Sequence, residues 1–149
     1  MQTLKRLTMV LLSFFALLQL VRFERANPHA NPALEVKADK EVMDIFKASC
    51  YDCHSNNTVW PWYSNVAPAS WMVITDVNSG RDWLNFSIWE SYDEAKKLKL
   101  RKLISREIII AMPLQSYTNA HPEARMTEEQ RNIIRKWTGI VSSTVLMTE

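Results

Sequence analysis

Only two glycines, two cysteines and three histidines occur in 149 residues, and no run of alternating apolar and polar residues is long enough to read as a strand. The missing alternation argues against a sheet. Scarce glycine beside six prolines points to helices joined by proline-marked loops, an all-α class. A second CxxC is absent, as is any HxxxH, so a structural zinc site wanting four Cys or His ligands is short of donors. There is also no excess of positive charge to attract nucleic acid: the whole chain is +2. Setting aside residues 1–26, with Lys5, Arg6, Arg22 and Arg25 against Glu24, leaves 14 basic and 15 acidic residues. Neither an internal repeat nor a low-complexity tract is present.

What the chain does have is one dense cluster. The stretch "ASCYDCHSNNTVWPWY", residues 48–63, holds both cysteines, Cys50 and Cys53, with His54 directly after the second. A dithiol redox site of the thioredoxin type expects such a CxxC beside a strand-helix-strand pattern, and the preceding sequence reads helical. An inert pair or a disulfide leaves the histidine without a purpose. Covalent attachment of one c-type haem uses all three residues: two thiols about one helical turn apart reach the two vinyl groups of a porphyrin edge, and the next imidazole falls under the iron.

Covalent haem attachment in bacteria takes place outside the cytoplasm, which calls for an export segment. Lys5 and Arg6 form a short basic start, and Leu7 to Val21 is apolar except for Thr8, Ser13 and Gln19. The following "RFERANPHANP" has no convincing small-residue cleavage site, so residues 1–26 read as an uncleaved signal anchor, with a cleaved signal peptide as the alternative. The expectation is a single-pass inner-membrane protein with its domain facing the periplasm, or a soluble periplasmic one after cleavage. Residues 27–37, "NPHANPALEVK", read as a tether holding a solvated His29. Residues 38–149 then form one small cytochrome c-like helical domain around the haem, thin in core without it.

The helices can be placed from periodicity. One runs from about Asp39 into the CxxCH, with Val42, Ile45, Phe46 and Ser49 on a single face. The next starts at Ser70 as cap, passes through Trp71, Ile74 and Val77, and stops at Gly80. A third covers roughly Asp93 to Ala111, with Leu100, Leu103, Ile104, Ile108 and Ala111 inward. Its basic run Lys96, Lys97, Lys99, Arg101 and Lys102 reads as a solvated face, or as a docking edge for an acidic redox partner. The last begins at Thr127, where Gln130 completes a capping box, and turns Ile133, Ile134 and Trp137 inward. Between the first two, Trp60, Trp62 and Tyr63 around Pro61 and Pro68 suit a loop laid against a large flat hydrophobe, or ordinary aromatic core.

The sixth iron ligand separates the possible functions. With His54 alone the iron keeps an open position for small ligands, whereas two protein ligands make an electron carrier. Met112 in "AMPLQSY" is the leading candidate, because Pro113 ends the third helix there and frees the thioether on a loop. His121 in "NAHPEAR" is the rival, and Met72 and Met126 read as core. Arg81 and Asn85 are candidates for hydrogen bonds to a propionate, with plain solvation the alternative for Arg81.

Several of these segments, "CYDCHSNNTVWPWYSNVAP" at 50–68, "GRDWLNFS" at 80–87, "MPLQSYTNAHPEARMT" at 112–127 and the closing Trp137, together resemble the haem-binding domain family of small bacterial cytochrome c-like proteins, which are usually membrane-anchored. The resemblance implies haem c on Cys50 and Cys53 with His54 as proximal ligand, and keeps Met112 and His121 as distal candidates. Members often carry histidines where this chain has Asp76 and Trp83.

The expected function is thus a membrane-tethered monohaem c-type cytochrome, carrying one electron between redox partner proteins in the periplasm or membrane through iron held by His54 and Met112. A haem-based sensor or gas-binding module with an open or weakly held sixth site is the alternative. A peroxidase is less favoured, since it wants a distal acid or base and often a second haem.

Overall fold

The computed structural model describes residues 1–140 and is built of helices, with no strand among them. Seven α-helices follow in order: α1 Gln2–Leu18, α2 Lys40–Ser49, α3 Tyr51–His54, α4 Ala69–Trp83, α5 Glu94–Ile110, α6 Gln115–Ala120 and α7 Glu128–Thr138. Three short 3-10 turns, Trp62–Asn65, Phe86–Ser91 and Pro122–Ala124, sit between them. The expected domain extends to residue 149, and its stretch 141–149 lies outside the described residues.

The core is an aromatic stack clasped by three helices. Phe46 of α2 is fully buried and stacks on Phe86 at 4.4 Å between ring centres. Tyr51 also stacks on Phe86, at 5.7 Å. Trp137 of α7 meets Phe46 edge-on at 5.0 Å and Trp89 at 5.7 Å. Leu100, Ile104 and Ile108 of α5 and Ile134 of α7 close the cluster. Such ring pairs contribute about 0.5–1.5 kcal/mol each beyond the apolar area they bury. Val42, Ile45, Phe46 and Ser49 are the buried face of α2, as their spacing predicts.

Helix ends follow local chemistry. Asp93 caps α5 by accepting from the Lys96 N–H at 2.7 Å. Thr127 and Gln130 form the expected reciprocal capping box on α7, which ends at Gly139 in the left-handed region, φ 70°. Helix α4 departs from expectation at both ends. Ser70 is buried inside its first turn rather than capping it, and the helix runs past Gly80 to Trp83. Gly80 is not a stop signal here because its backbone carbonyl still accepts from Leu84 N–H at 2.9 Å. Lys97, expected among solvated cations, is only 8% exposed and is held by Glu90 at 2.8 Å and Glu94 at 3.3 Å.

The N-terminal segment corrects the reading of a transmembrane helix. No helix among the described residues is long and apolar enough to cross a membrane, which overturns the single-pass inner-membrane placement. The apolar run Leu7 to Val21 does not continue as one helix. It breaks after Leu18, where the Gln19 side chain accepts from the Ala67 N–H at 2.9 Å and donates to the Ala67 carbonyl at 3.1 Å. The Trp71 indole N–H then takes the Val21 carbonyl at 2.8 Å. The 17 residues of α1 extend about 26 Å at about 1.5 Å per residue, short of a hydrocarbon core of about 30 Å.

Residues of the expected tether bond to the helical domain. Val36 is 2% exposed, and its N–H donates to the Phe86 carbonyl at 2.9 Å, while Glu90 N–H donates to the Leu34 carbonyl at 2.9 Å. Glu35 accepts from the Tyr51 hydroxyl at 2.9 Å. His29 is exposed, but its carbonyl accepts from the Asn56 amide at 3.2 Å. Replacing Thr127 with Ala removes the hydroxyl half of the α7 cap and should lower unfolding free energy by about 1 kcal/mol. Thermal denaturation followed by circular dichroism checks this, and a midpoint equal to wild type would show that the cap adds nothing.

Candidate cofactor site

The first link is a break in the chain direction. Helix α2 ends at Cys50, whose φ of −130° and ψ of −35° leave the helical region, and α3 restarts for a single turn carrying Cys53 and His54. The turn is closed by His54 N–H to the Cys50 carbonyl at 2.9 Å. Ser55 and Asp52 then fold the next residues back. Ser55 Oγ donates to the Tyr51 carbonyl at 2.7 Å, and Asp52 Oδ1 accepts from Val59 N–H at 2.9 Å. The result presents Cys50, Cys53 and His54 on one wall of a cavity of about 600 Å³, within the roughly 300–1,000 Å³ span of small-molecule and cofactor pockets.

His54 is oriented by helix α4. Its Nδ1 is 3.0 Å from the Gly80 carbonyl and 3.1 Å from the Leu84 carbonyl, so one N–H is shared between two acceptors. Both acceptors require the proton on Nδ1, which makes Nε2 the lone-pair nitrogen. Burial lowers the imidazole pKa, opposed by the hydrogen bonds to Leu84 and Gly80. The ring is therefore neutral and aimed by a backbone partner, the usual arrangement for a metal-ligating histidine.

Helix α4 can lie this close because residue 80 is glycine. A Cβ there would stand 2.5 Å from the Cys53 carbonyl oxygen and 3.2 Å from the Cys53 Cβ. Nothing but glycine fits without moving the helix off the turn.

The thiols are poor nucleophiles where they stand. Burial, followed by the neighbouring Cys53, pushes Cys50 up to about 12. Burial first, then Asp52 and Asp76, pushes Cys53 up to about 11, with Arg81 opposing. Both are free and not joined in a disulfide. A dithiol-exchange centre needs a depressed thiol pKa and an available thiolate, and these thiols have the opposite. Among the described residues no three His, Cys, Asp or Glu side chains gather where a metal ion could be held by them alone.

The other residues singled out from the sequence divide clearly. Tyr63 and Met112 line the cavity, as do Met72 and Met126; Trp60, Trp62, Arg81 and His121 do not. Trp62 is 78% exposed, packed edge-on against Tyr63. Trp60 donates its indole N–H to the Asn27 side-chain oxygen at 3.1 Å. Arg81 is engaged within the chain. Its Nε donates to the Ser55 carbonyl at 2.7 Å, and its terminal nitrogens donate to Ala26 O, Asn27 Oδ1 and Thr58 Oγ1 at 2.7–2.8 Å. That guanidinium fastens the N-terminal segment to the CxxCH loop. Asn85 likewise bonds Asn56 Oδ1 at 2.7 Å. Asp76 and Trp83 both line the cavity.

Tyr117 is the residue that sequence reasoning missed. It lines the cavity, and its hydroxyl donates to Asp52 Oδ2 at 2.7 Å, tying α6 to the CxxCH turn. Its place between Met112 and His121 in "MPLQSYTNAHP" was the only signal for it.

A family model described as a haem-binding domain matches residues 13–139. No curated protein and no solved structure matches the chain. The side chains fit such a group: a largely apolar cavity, a neutral imidazole with a locked tautomer, and two neutral thiols on the same wall. Gly80→Ala should destabilise the fold by about 1–3 kcal/mol, the typical cost of overpacking, because α4 must retreat from Cys53. Chemical denaturation of the full chain measures this, and an unchanged midpoint would show that the contact is soft.

Proposed function

The chain belongs to the haem-binding domain family, and on that premise we propose that it carries one covalent haem c on Cys50 and Cys53 and passes single electrons between redox partner proteins in the periplasm. The observation that carries the reading is the placement of both thiols and the Nδ1-locked His54 together on the wall of one apolar cavity. A haem bound there supplies a reversible one-electron iron couple. Cys50 and Cys53 would hold such a group through their sulfur atoms, each S–H adding across a vinyl C=C, sulfur to one carbon and hydrogen to the other, with no net oxidation.

The chain's own residues do the rest. His54 offers Nε2 as proximal ligand, and the carbonyls of Gly80 and Leu84 hold its ring against rotation while raising its donor strength. Met112 offers a thioether from the turn after α5. Its N–H donates to the Glu107 carbonyl at 2.7 Å and its carbonyl accepts from Arg131 at 3.1 Å, so the backbone that presents it is pinned on both sides. Met126 belongs to the packed core, and Met72 stands on α4, the helix that serves His54. Those positions favour Met112 as the residue whose thioether would hold the iron together with His54. A thioether raises the potential relative to a second imidazole, which suits a carrier. The cavity's largely apolar lining would give a haem held there a surrounding of low polarity.

Expressed in a host that matures c-type cytochromes, the protein should show covalent haem and the weak far-red ferric band of sulfur–iron ligation. Cys50→Ala/Cys53→Ala should abolish covalent haem, read by acid-acetone extraction and pyridine haemochrome. Met112→Ala should turn the ferric spectrum high-spin and let reduced protein bind carbon monoxide at once. An unchanged low-spin spectrum in Met112→Ala would remove Met112 from the iron. Immediate carbon monoxide binding by wild type would instead favour a sensor.

A further inference from the structure

His121 stands one side chain back from the cavity. Its ring stacks on Tyr117 at 4.5 Å and 19°, its Nε2 is 2.8 Å from the Tyr63 hydroxyl, and its Nδ1 is 3.1 Å from Glu123 Oε1. Tyr63 and Tyr117 both line the cavity, and His121 does not. With Glu123 accepting from Nδ1–H, the Nε2 lone pair faces the Tyr63 hydroxyl as acceptor. That lone pair is the one an imidazole gives to iron, and here a tyrosine O–H occupies it.

Tyr117 is itself fixed to the half of the site that carries the thiols. Tyr117 Oη donates to Asp52 Oδ2 at 2.7 Å, and Asp52 lies between Cys50 and Cys53. Tyr63 sits on the turn Trp62–Asn65, where the buried Ser64 bonds the Pro61 carbonyl at 2.6 Å. The His121 ring is thus held by one stack and two hydrogen bonds, and the stacking Tyr117 is itself anchored on Asp52. Met112 and His121 flank α6 in the chain, so something must choose between them.

We propose that Tyr63 and Tyr117 are positioning residues that select the axial ligand: they hold the His121 imidazole out of the cavity and leave the sixth iron position to the Met112 thioether. The selection rests on the haem reading above. Imidazole is a strong ligand to ferric iron, so a His121 released from the Tyr63 hydroxyl and from the Asp52-anchored Tyr117 competes with the thioether for the same position. Conversion from thioether to imidazole ligation keeps the iron low-spin but lowers its potential and removes the sulfur–iron band.

The test compares full-length, haem-loaded wild type with Tyr63→Phe/Tyr117→Phe and with the same pair carrying His121→Ala. The phenylalanines keep ring volume and stacking while removing both hydroxyl anchors. The far-red ferric band, the electron paramagnetic resonance signature of the axial ligands and the reduction potential are recorded for each. The expected result is loss of the band and a lower potential in the double variant with the spin state still low, and return of the band when His121 is also removed. A double variant with the wild-type band and potential overturns the selection, as does a loss of band that His121→Ala fails to reverse. Should the double variant not accumulate, Tyr63→Phe with and without His121→Ala makes the same comparison. A wild type with covalent haem but no sulfur–iron band fails the Met112 reading and the selection with it, whereas unchanged variants beside a wild type that has the band fail the selection alone.

Discussion

How closely α4 lies against the CxxCH turn governs the rest of the site, and that distance is set at Gly80. With no Cβ between helix and turn, the Gly80 carbonyl comes within 3.0 Å of His54 Nδ1 and the backbone of Cys53 packs on the helix. One residue later, Arg81 reaches from the same helix to Ser55, Thr58, Ala26 and Asn27. A single helix end therefore fixes the tautomer of the histidine, the height of the thiols and the path of the N-terminal segment. Helix α4 is long enough to do this because it continues for a further turn beyond its glycine.

Polar side chains in this small domain act mainly as fasteners between segments distant in sequence. Gln19 pairs with the backbone of Ala67, Asn27 accepts from Trp60 and donates to the Thr58 carbonyl, and Asn56 bridges His29 and Asn85. Loops without periodic apolar residues cannot bury enough area to hold themselves, so backbone groups left over from short helices are satisfied by amides and hydroxyls instead. The aromatic stack of Tyr51, Phe86, Phe46 and Trp137 then lies behind the CxxCH wall and gives it a rigid floor.

Those fasteners explain which parts of the site were legible beforehand. Cys50, Cys53 and His54 announce themselves by spacing, and the inward faces of α2, α5 and α7 by period. Met112 was marked by the proline after it. By contrast, an arginine beside a candidate site reads the same whether it meets a ligand or a carbonyl of its own chain, and only the fold placed Arg81 on the latter. Tyr117 carried no pattern of its own, since its importance lies in a bond to Asp52 across the fold. Likewise an apolar run reads as a span until a polar residue in it, here Gln19, finds a partner elsewhere.

The chain by itself determined its helical class, the cap of α7, the buried face of α2 and the clustering of two thiols and an imidazole, because each depends on residues within a few positions of one another. Only the tertiary structure decided that Gly80 is a contact rather than a stop, that Gln19, Val21, Asn27 and Val36 are bonded to the helical domain, and that His121 bonds Tyr63 and stacks on Tyr117 beside the cavity that Met112 lines. Each of these turns on a hydrogen bond or a close approach between segments far apart in sequence, and no local pattern encodes which distant carbonyl, carboxylate or ring a side chain will meet.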